Sequence, residues 1–412
     1  MHAPPARFHR QLCVLGYMVL AISHTALADS FAQTHWQQQL SIEARQFMQP
    51  SPIADHNQDA SISWQARYEK LWRDGDSTFT FSPFVRLNSQ DDARSRFDIQ
   101  TLSWTHNREH WEFRHGIRTL TWQATEAVHL VDIVNQTDLS GDIDGEDKLG
   151  QLVFNALYKL PNGTIELYAL PGFRERIYPG ERARLRTALP YSSHAIDYES
   201  SAEQLRTDAA LRATLLLGDW EFAASHFSGT SREPVLRVAN GKLASYYPVI
   251  DQTGLELQFA AGDWLWKLEA ISRSGFDDPF GNGFARYEAA AAGFEFTWSG
   301  LGDSGYDLGI LTEYLWDGRR DQALSNDIFV GTRLGLNDIA STDLLVGWIQ
   351  DADHGEYLGF VEFSRRVRDT GKLEVTARFI GSPQRYESRQ THAELLSLHR
   401  DDYLTAQYTH YF

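Results

Sequence analysis

Apolar and polar side chains alternate over stretches of about ten residues along almost the whole chain. Leu255, Leu257 and Phe259 alternate with Glu256 and Gln258, for example. Successive side chains of a β-strand point to opposite faces, so this period of two predicts strands with one apolar and one polar face. We count about 18 such strands, which begin near residues 38, 60, 77, 96, 111, 151, 164, 208, 220, 250, 263, 285, 305, 326, 342, 356, 372 and 401. A count of 16 stays open, because the alternation is irregular over 96–106 and 285–299.

The links between these predicted strands alternate in length. Short links occur at 74–76, 107–109, 161–163, 218–219, 262–263, 337–338 and 369–371. Longer polar segments lie between them, at 126–149, 172–207, 229–245, 274–283, 317–325 and 382–400. A soluble β-sandwich would also alternate, but short turns at one end and long loops at the other are typical of outer-membrane barrels. The pattern therefore favours an all-β fold, a transmembrane antiparallel up-and-down β-barrel with short periplasmic turns and long extracellular loops.

The end of the chain supports a barrel that closes on its last strand. Leu404, Ala406, Tyr408, His410 and Phe412 form one face of that strand. An alternating strand that ends on an aromatic residue resembles the C-terminal signal recognised by the bacterial barrel-assembly machinery, and Tyr408, His410 and Phe412 would carry it. The expected partners are that machinery, outer-membrane lipids and lipopolysaccharide.

Residues 1–28 have the features of a cleaved signal peptide. Two arginines precede an apolar stretch over 12–22, and small residues follow at 26–28. The stretch is too short for a stable membrane helix, so a membrane anchor is the weaker alternative. We therefore expect export, cleavage before Asp29 and a mature outer-membrane barrel over 29–412.

Composition narrows the function classes. Without the leader, 36 basic residues face 55 acidic ones, a net charge of −19, which argues against a general nucleic-acid binder. The one cysteine, Cys13, lies in the leader, so no disulfide, thiolate metal site or cysteine nucleophile is expected in the mature chain. Aromatic residues make up 13% of the chain and include 12 tryptophans, as expected of a barrel with aromatic girdles.

If the apolar faces contact lipid, the opposite faces line the lumen. This assigns the following charged side chains to the lumen: Glu43, Arg45, Arg67, Glu69, Arg86, Glu112, Arg114, Arg118, Arg212, Glu256, Lys267, Glu269, Arg273, Glu313, Arg333, Glu374 and Arg378. A barrel of 16 to 18 strands is wide enough for water, which would tolerate these charges. Most of them are expected to form ion pairs along the wall, and some could contact a solute.

Two long loops carry the sharpest charge signal. The acidic loop over 131–151 contains Asp132, Asp138, Asp142, Asp144, Glu146 and Asp147. The next long loop, over 171–186, contains Arg174, Arg176, Arg182, Arg184 and Arg186. Only one hairpin separates them, so they should emerge side by side and could form a charged pore constriction. The alternative is that the two loops pair with each other and cap the barrel.

Two other roles for these loops stay open. The acidic stretch at 138–147 contains a fragment of a calcium-loop pattern, but Ser140 and Gln151 stand where that pattern needs acids, so no cofactor is the main expectation. The arginine loop could instead hold lipopolysaccharide phosphates.

The stretch over 111–186 resembles a group of poorly characterised proteobacterial outer-membrane proteins, through its LVDIVNQTDLSGDIDGEDKLGQ and LYALPGFRERIYPG segments. Their architecture is similar to that of alginate-export and general porin barrels. The alginate-export comparison implies an arginine-rich pore, with Arg114, Arg118, Arg174 and Arg176 as candidates. The mixed charge of the predicted lumen departs from that pattern, so an anionic polymer is not supported as the substrate.

We therefore expect an outer-membrane channel or porin that passes small hydrophilic solutes. Its candidate pore residues are Arg114, Arg118, Arg174, Arg176, Arg182, Arg184, Asp138, Asp142, Asp144 and Glu146. The first alternative is a non-transporting barrel that acts through its loops as an adhesin, receptor or envelope-structure protein. An outer-membrane lipase or protease is disfavoured, because His129, His194, His226, Ser192 and Ser193 lie in no nucleophile motif. The sequence leaves the solute and the oligomeric state open.

Overall fold

The computed structural model describes residues 32–72, 75–277, 284–319, 324–353, 355–381 and 398–412. The expected leader lies outside them. They form these strands: β1 (Ala32–Phe47), β2 (Gln58–Trp72), β3 (Ser77–Asn88), β4 (Arg96–Asn107), β5 (Trp111–Arg118), β6 (Gln151–Leu160), β7 (Gly163–Pro171), β8 (Tyr191–Tyr198), β9 (Thr207–Leu217), β10 (Trp220–Thr230), β11 (Val235–Ala239), β12 (Lys242–Tyr247), β13 (Val249–Ala261), β14 (Trp264–Asp277), β15 (Phe284–Trp298), β16 (Asp307–Asp317), β17 (Asn326–Gly335), β18 (Asp343–Asp351), β19 (Tyr357–Val367), β20 (Gly371–Gly381) and β21 (Tyr403–Tyr411). No helix in these ranges is long and apolar enough to cross a membrane.

Eighteen of these strands form one closed antiparallel barrel, in which each strand pairs with its neighbours in chain order. The barrel closes where β1 pairs with β21, from Gln39 opposite Tyr411 to Phe47 opposite Tyr403. The predicted transmembrane barrel of 18 strands is therefore confirmed, and the count of 16 is wrong. Short turns lie at the end that carries both β1's start and β21's end, and long connections lie at the other.

The two stretches with irregular alternation are strands, and their irregularity has a structural reason. The pairing of β3 with β4 shifts register between Ser82 and Pro83, so the inward positions of β4 change from even to odd numbers. In β15, Ala289 and Ala291 face inward and are buried, while Phe294 and Phe296 face outward. Both faces of β15 are therefore apolar, which hides the period of two.

The outer face carries the apolar belt expected of a lipid-exposed barrel. Trp220 stacks on Phe259 with ring centres 4.0 Å apart, and Trp264 meets Phe296 at 4.7 Å, both beside short turns. Aromatic rings at the ends of the strands fit the level of the membrane interface. The pairing register turns the charged side chains that the sequence assigned to the lumen toward the inside.

A small second sheet lies within the long connections that follow β7 and β10. β12 pairs in parallel with β8 and antiparallel with β11. The sequence predicted only polar loops over 172–207 and 229–245, so these three strands were missed. They are short, and part of their pairing joins segments that are distant in the chain.

Candidate functional site

The connection between β5 and β6, residues 119–150, folds into the barrel lumen; we call it the plug segment. Its first half is apolar, and Trp122, Val131 and Val134 are buried. They pack in one cluster with inward side chains of the wall, among them Phe227 and Ile271. Burial of this much apolar surface stabilises the segment inside the barrel. The lumen is therefore filled on the long-loop side.

Two carboxylates on the wall hold the first half of the plug segment by its backbone. Glu269 on β14 accepts hydrogen bonds from the amides of Ala124 at 2.6 Å and Thr125 at 3.0 Å, and its other oxygen accepts from Val131 at 3.2 Å. Glu313 on β16 accepts from the amides of residues 126 and 127 at 2.7 and 2.9 Å. Both carboxylates are buried. A buried charge needs such donors, so each contact both satisfies the carboxylate and fixes the loop.

The second, acidic half of the plug segment reaches the opposite wall. Asp138 pairs with Arg96 on β4, and Asp144 pairs with Arg378 on β20 at 2.9 Å. Asp142 lies 3.8 Å from the same guanidinium, and the hydroxyl of Tyr403 donates a hydrogen bond to the carboxylate of Asp142. The plug segment thus spans the lumen and is attached to strands on both sides.

Two titratable groups of the plug segment favour their protonated forms. Burial, together with the charge of Asp142, raises the pKa of Asp144 to about 7, although a third of its side chain stays exposed. Burial alone would lower the pKa of His129, but the carboxylate of Glu146, 3.0 Å from its ring nitrogen, raises it instead. Protonation of both groups therefore favours the folded plug.

We expect the plug to be held more tightly at about pH 5 than at about pH 8. An acid with a raised pKa loses stability when it ionises, here as the pH rises from about 4 toward 7. The His129–Glu146 pair is also lost as the pH rises through the raised pKa of His129. Asp142, Arg378 and Asp147 are the charges that act on Asp144, and Glu146, Glu269 and Asp132 those that act on His129.

Native-state hydrogen exchange of the plug amides across this pH range, corrected for the intrinsic pH dependence of exchange, tests the expectation. The opening free energy of the plug should fall as the pH rises in the wild type, and the fall should shrink in Asp144→Asn. Asp219→Asn, on a short turn away from the plug, should keep the full pH dependence. An Asp144→Asn variant that titrates like the wild type would contradict the role given to this carboxyl.

The second loop predicted from sequence, residues 171–186, lies beside the plug segment, as expected. Asp138 and Ile177 form a parallel β-bridge, and the amide of Leu139 donates to the carbonyl of Ile177 at 2.8 Å. Most arginine side chains of this loop nevertheless bind elsewhere. Arg174 pairs with Asp98 on β4 at 3.0 Å, and Arg184 pairs with Asp401 at 2.6 Å.

The other candidate arginines also have neighbours of their own. Arg182 donates to Gln90 at 3.2 Å, and Arg176 donates to Gln136 of the plug segment at 3.3 Å. On the wall, Arg114 pairs with Glu112 and with Glu166, the latter at 3.4 Å, and Arg118 donates to Thr105 at 3.2 Å. The acidic loop and the arginine loop are thus bound mainly to the wall and to other loops, rather than facing each other across an open pore.

The described residues contain no group of three or more His, Cys, Asp or Glu side chains placed to hold a metal ion. Asp138, Asp142 and Asp144, which suggested calcium, each meet an arginine as described above. The last strand places Tyr408 and Phe412 on the outer face, and the amide of Phe412 donates to the carbonyl of Gln38 at 3.0 Å. His410 meets the ring of Phe412 at 4.7 Å. The role of these residues in barrel assembly stays a prediction.

At the end of the barrel with short turns, charged inward-facing side chains are exposed. Arg67 on β2, paired with Glu69, is 55% exposed, and Lys159 on β6 is 43% exposed, although the register turns both inward. Water therefore reaches the wall from the end with short turns.

No protein-family model and no curated protein matches the chain. Solved structures do match it in fold. A BenF-like porin from Pseudomonas fluorescens Pf-5 matches with a TM-score of 0.53 and 9% identity over 94% of this chain and 99% of that one. The chain has a porin-like barrel fold. Pseudomonas aeruginosa OccD3 matches with a TM-score of 0.53 and 10% identity, over 94% of this chain and 92% of that one.

A third match is Wzi of Escherichia coli, described as a carbohydrate-binding β-barrel involved in group 1 capsule assembly. It has a TM-score of 0.53 and 9% identity, over 99% of this chain and 89% of that one. At such identities, the likeness extends to the fold alone. The expected similarity to porin architecture is confirmed at that level.

Proposed function

We propose that this protein is an outer-membrane channel for small hydrophilic solutes, with the plug segment as its gate. The observation that carries the proposal is the divided lumen. Charged inward side chains are exposed at its turn-side end, while its loop-side half is filled by a segment held through hydrogen bonds and ion pairs. In this proposal, the leader directs export and the barrel lies in the outer membrane, with its short turns in the periplasm.

In this proposal, the constriction of the channel is the plug segment itself. Its acidic residues pair there with arginines of the wall. We propose no enzymatic step. The hydroxyl of Ser192 accepts hydrogen bonds from the backbone amides of His194 and Ala195, at 3.4 and 3.0 Å, and His226 meets Thr253. These contacts do not arrange Ser192, His194 or His226 as nucleophile and base.

The two wall carboxylates provide the test. In Glu269→Gln with Glu313→Gln, each amide side chain has one acceptor oxygen where the carboxylate had two. Each lost charge-assisted hydrogen bond is worth about 1.5–3 kcal/mol, so the open fraction in planar bilayers should rise about tenfold or more. Glu374→Gln is the matched control, because Glu374 also faces the lumen but pairs with Lys372 rather than with the plug. Unchanged gating in the folded double variant would contradict the gate.

A non-transporting, carbohydrate-binding barrel is the second candidate. The filled lumen and the extra sheet of β8, β11 and β12 favour it, since both build the loop side into a compact surface. The fold shared with Wzi is compatible with such a role. A barrel that never conducts, even after its plug is loosened, would support this candidate.

A further inference from the structure

Glu233 lies among three arginines, Arg273, Arg319 and Arg176, at the loop-side mouth of the barrel. We call these arginines and the side chains that hold them the cage. It lies in the connection between β10 and β11 and reaches across to the wall formed by β13 to β16. One of its oxygens accepts from Arg273 at 3.0 Å and the other from Arg319 at 2.9 Å. Burial alone would raise the pKa of Glu233, but the charges of Arg319, Arg273 and Arg176 lower it to about 2.

The cage has positive charge in excess. Within the described ranges, three guanidiniums act on Glu233, and one other acid, Asp317, pairs with Arg319 at 2.7 Å. Withdrawal of Glu233 would therefore leave these guanidiniums with more positive charge than Asp317 compensates, at a partly buried site, which is costly unless another anion takes its place.

The walls of the cage are fixed, whereas its occupant comes from a loop. Arg319 lies over the ring of Tyr287 at 4.1 Å and over that of Phe276 at 5.0 Å, and Arg273 donates to Gln252 on β13 at 2.7 Å. These contacts hold both guanidiniums without help from Glu233. Glu233 itself keeps 30% of its side chain exposed, so the cage is open to solvent on one side.

A buried hydroxyl points to a ligand as well. Tyr287 is 8% exposed, and its hydroxyl has no hydrogen-bond partner within the ranges that the structure describes. A buried hydroxyl without a partner is uncommon, because its desolvation is not compensated. It would be satisfied by a ligand that fills the cage further than Glu233 does.

We propose that this cage is a binding site for the carboxylate of a small organic acid, and that Glu233 is its internal, displaceable occupant. Two arginines can each hold one carboxylate oxygen, while Tyr287 and Phe276 contact the carbon skeleton. This inference rests on the proposed channel function in one respect, namely that the bound acid is also a transported solute. The site binds its ligand whether or not the barrel conducts.

Propionate is the appropriate probe, because its three carbons correspond to Cβ, Cγ and the carboxylate carbon of Glu233. Isothermal titration of detergent-solubilised protein with propionate should show binding to Glu233→Ala about tenfold or more tighter than to the wild type, because the internal competitor is gone. Adding Arg273→Gln and Arg319→Gln to that variant should abolish the gain. Heat-modifiable gel migration shows that each variant is folded.

Glu233→Gln guards against failure of the alanine variant to fold, because the amide keeps the shape of the side chain. It should bind propionate more tightly than the wild type, since a neutral amide competes less well for guanidiniums. Propionate binding that is equal in the wild type and the variants, or that survives loss of both arginines, would overturn the site. Bilayer conductance is measured separately, so a failed channel proposal would not be mistaken for a failed binding site.

Discussion

Replacement of residues 120–149 by a short Gly-Ser linker is expected to convert a rarely open barrel into one that conducts continuously. The plug segment fills the loop-side half of the lumen, and charged side chains are exposed near the turn-side end of the wall. The barrel strands pair with each other without the plug, so the wall should persist when the plug is removed. Planar-bilayer recording of the refolded variant measures the effect directly.

A matched replacement separates gating from general damage to the loops. The tip of the β11–β12 hairpin, residues 237–243, is largely exposed, and its replacement by a linker should leave conductance as in the wild type. If the variant without its plug migrates as a folded barrel and still does not conduct, the channel proposal is wrong. The surface-binding alternative would then be favoured.

The barrel could be predicted from sequence because each wall strand faces lipid on one side and charged groups on the other. Strands such as β13, in which Leu255 and Leu257 face lipid while Glu256 faces inward, show this directly. The prediction was weakest where that contrast disappears. The inward faces of Ala289 and Ala291 on β15 are apolar because the plug covers them, and a sequence pattern cannot show what covers a strand.

The site was less predictable than the fold. Glu269 and Glu313 were correctly expected to face inward, but their partners are backbone amides more than 100 residues away in the chain, and amides carry no sequence signal. The apolar stretch that includes Trp122 and Val131 was the one available hint, because a solvated loop has little reason to be apolar. The roles of Glu233 and of the cage arginines depend on contacts between distant loops, which charge patterning does not specify.

The arginine loop shows how residue type alone can mislead. Arg184 was a candidate for contact with solutes, yet its side chain is fully buried. It pairs with Asp401 and also donates to the side chain of Asn57 at 2.8 Å and to the carbonyl of Gln49 at 2.9 Å. Its guanidinium lies 4.1 Å from the centre of the Phe47 ring. This one side chain therefore connects three segments at the loop-side mouth.

Arg184→Ala is expected to lower the opening free energy of the junction that Arg184 forms between these segments by about 3–5 kcal/mol, because it leaves the carboxylate of Asp401 buried without its partner. Native-state hydrogen exchange of the amides around 183–187 and 400–403 measures the opening free energy. Arg182→Ala is the matched control: Arg182 is exposed and donates a hydrogen bond to the exposed side chain of Gln90, so a change within about 0.5 kcal/mol is expected.

A double variant distinguishes the charge from the packing. Arg184→Met with Asp401→Leu removes both charges and keeps apolar volume, so it should recover part of the lost stability, the remainder being the hydrogen bonds to backbone carbonyls. Ion selectivity should be the same in Arg184→Ala and in the wild type, because a fully buried guanidinium contacts no permeating ion. A change in ion selectivity without loss of amide protection would indicate that Arg184 lines the pore, and would contradict its place in the junction.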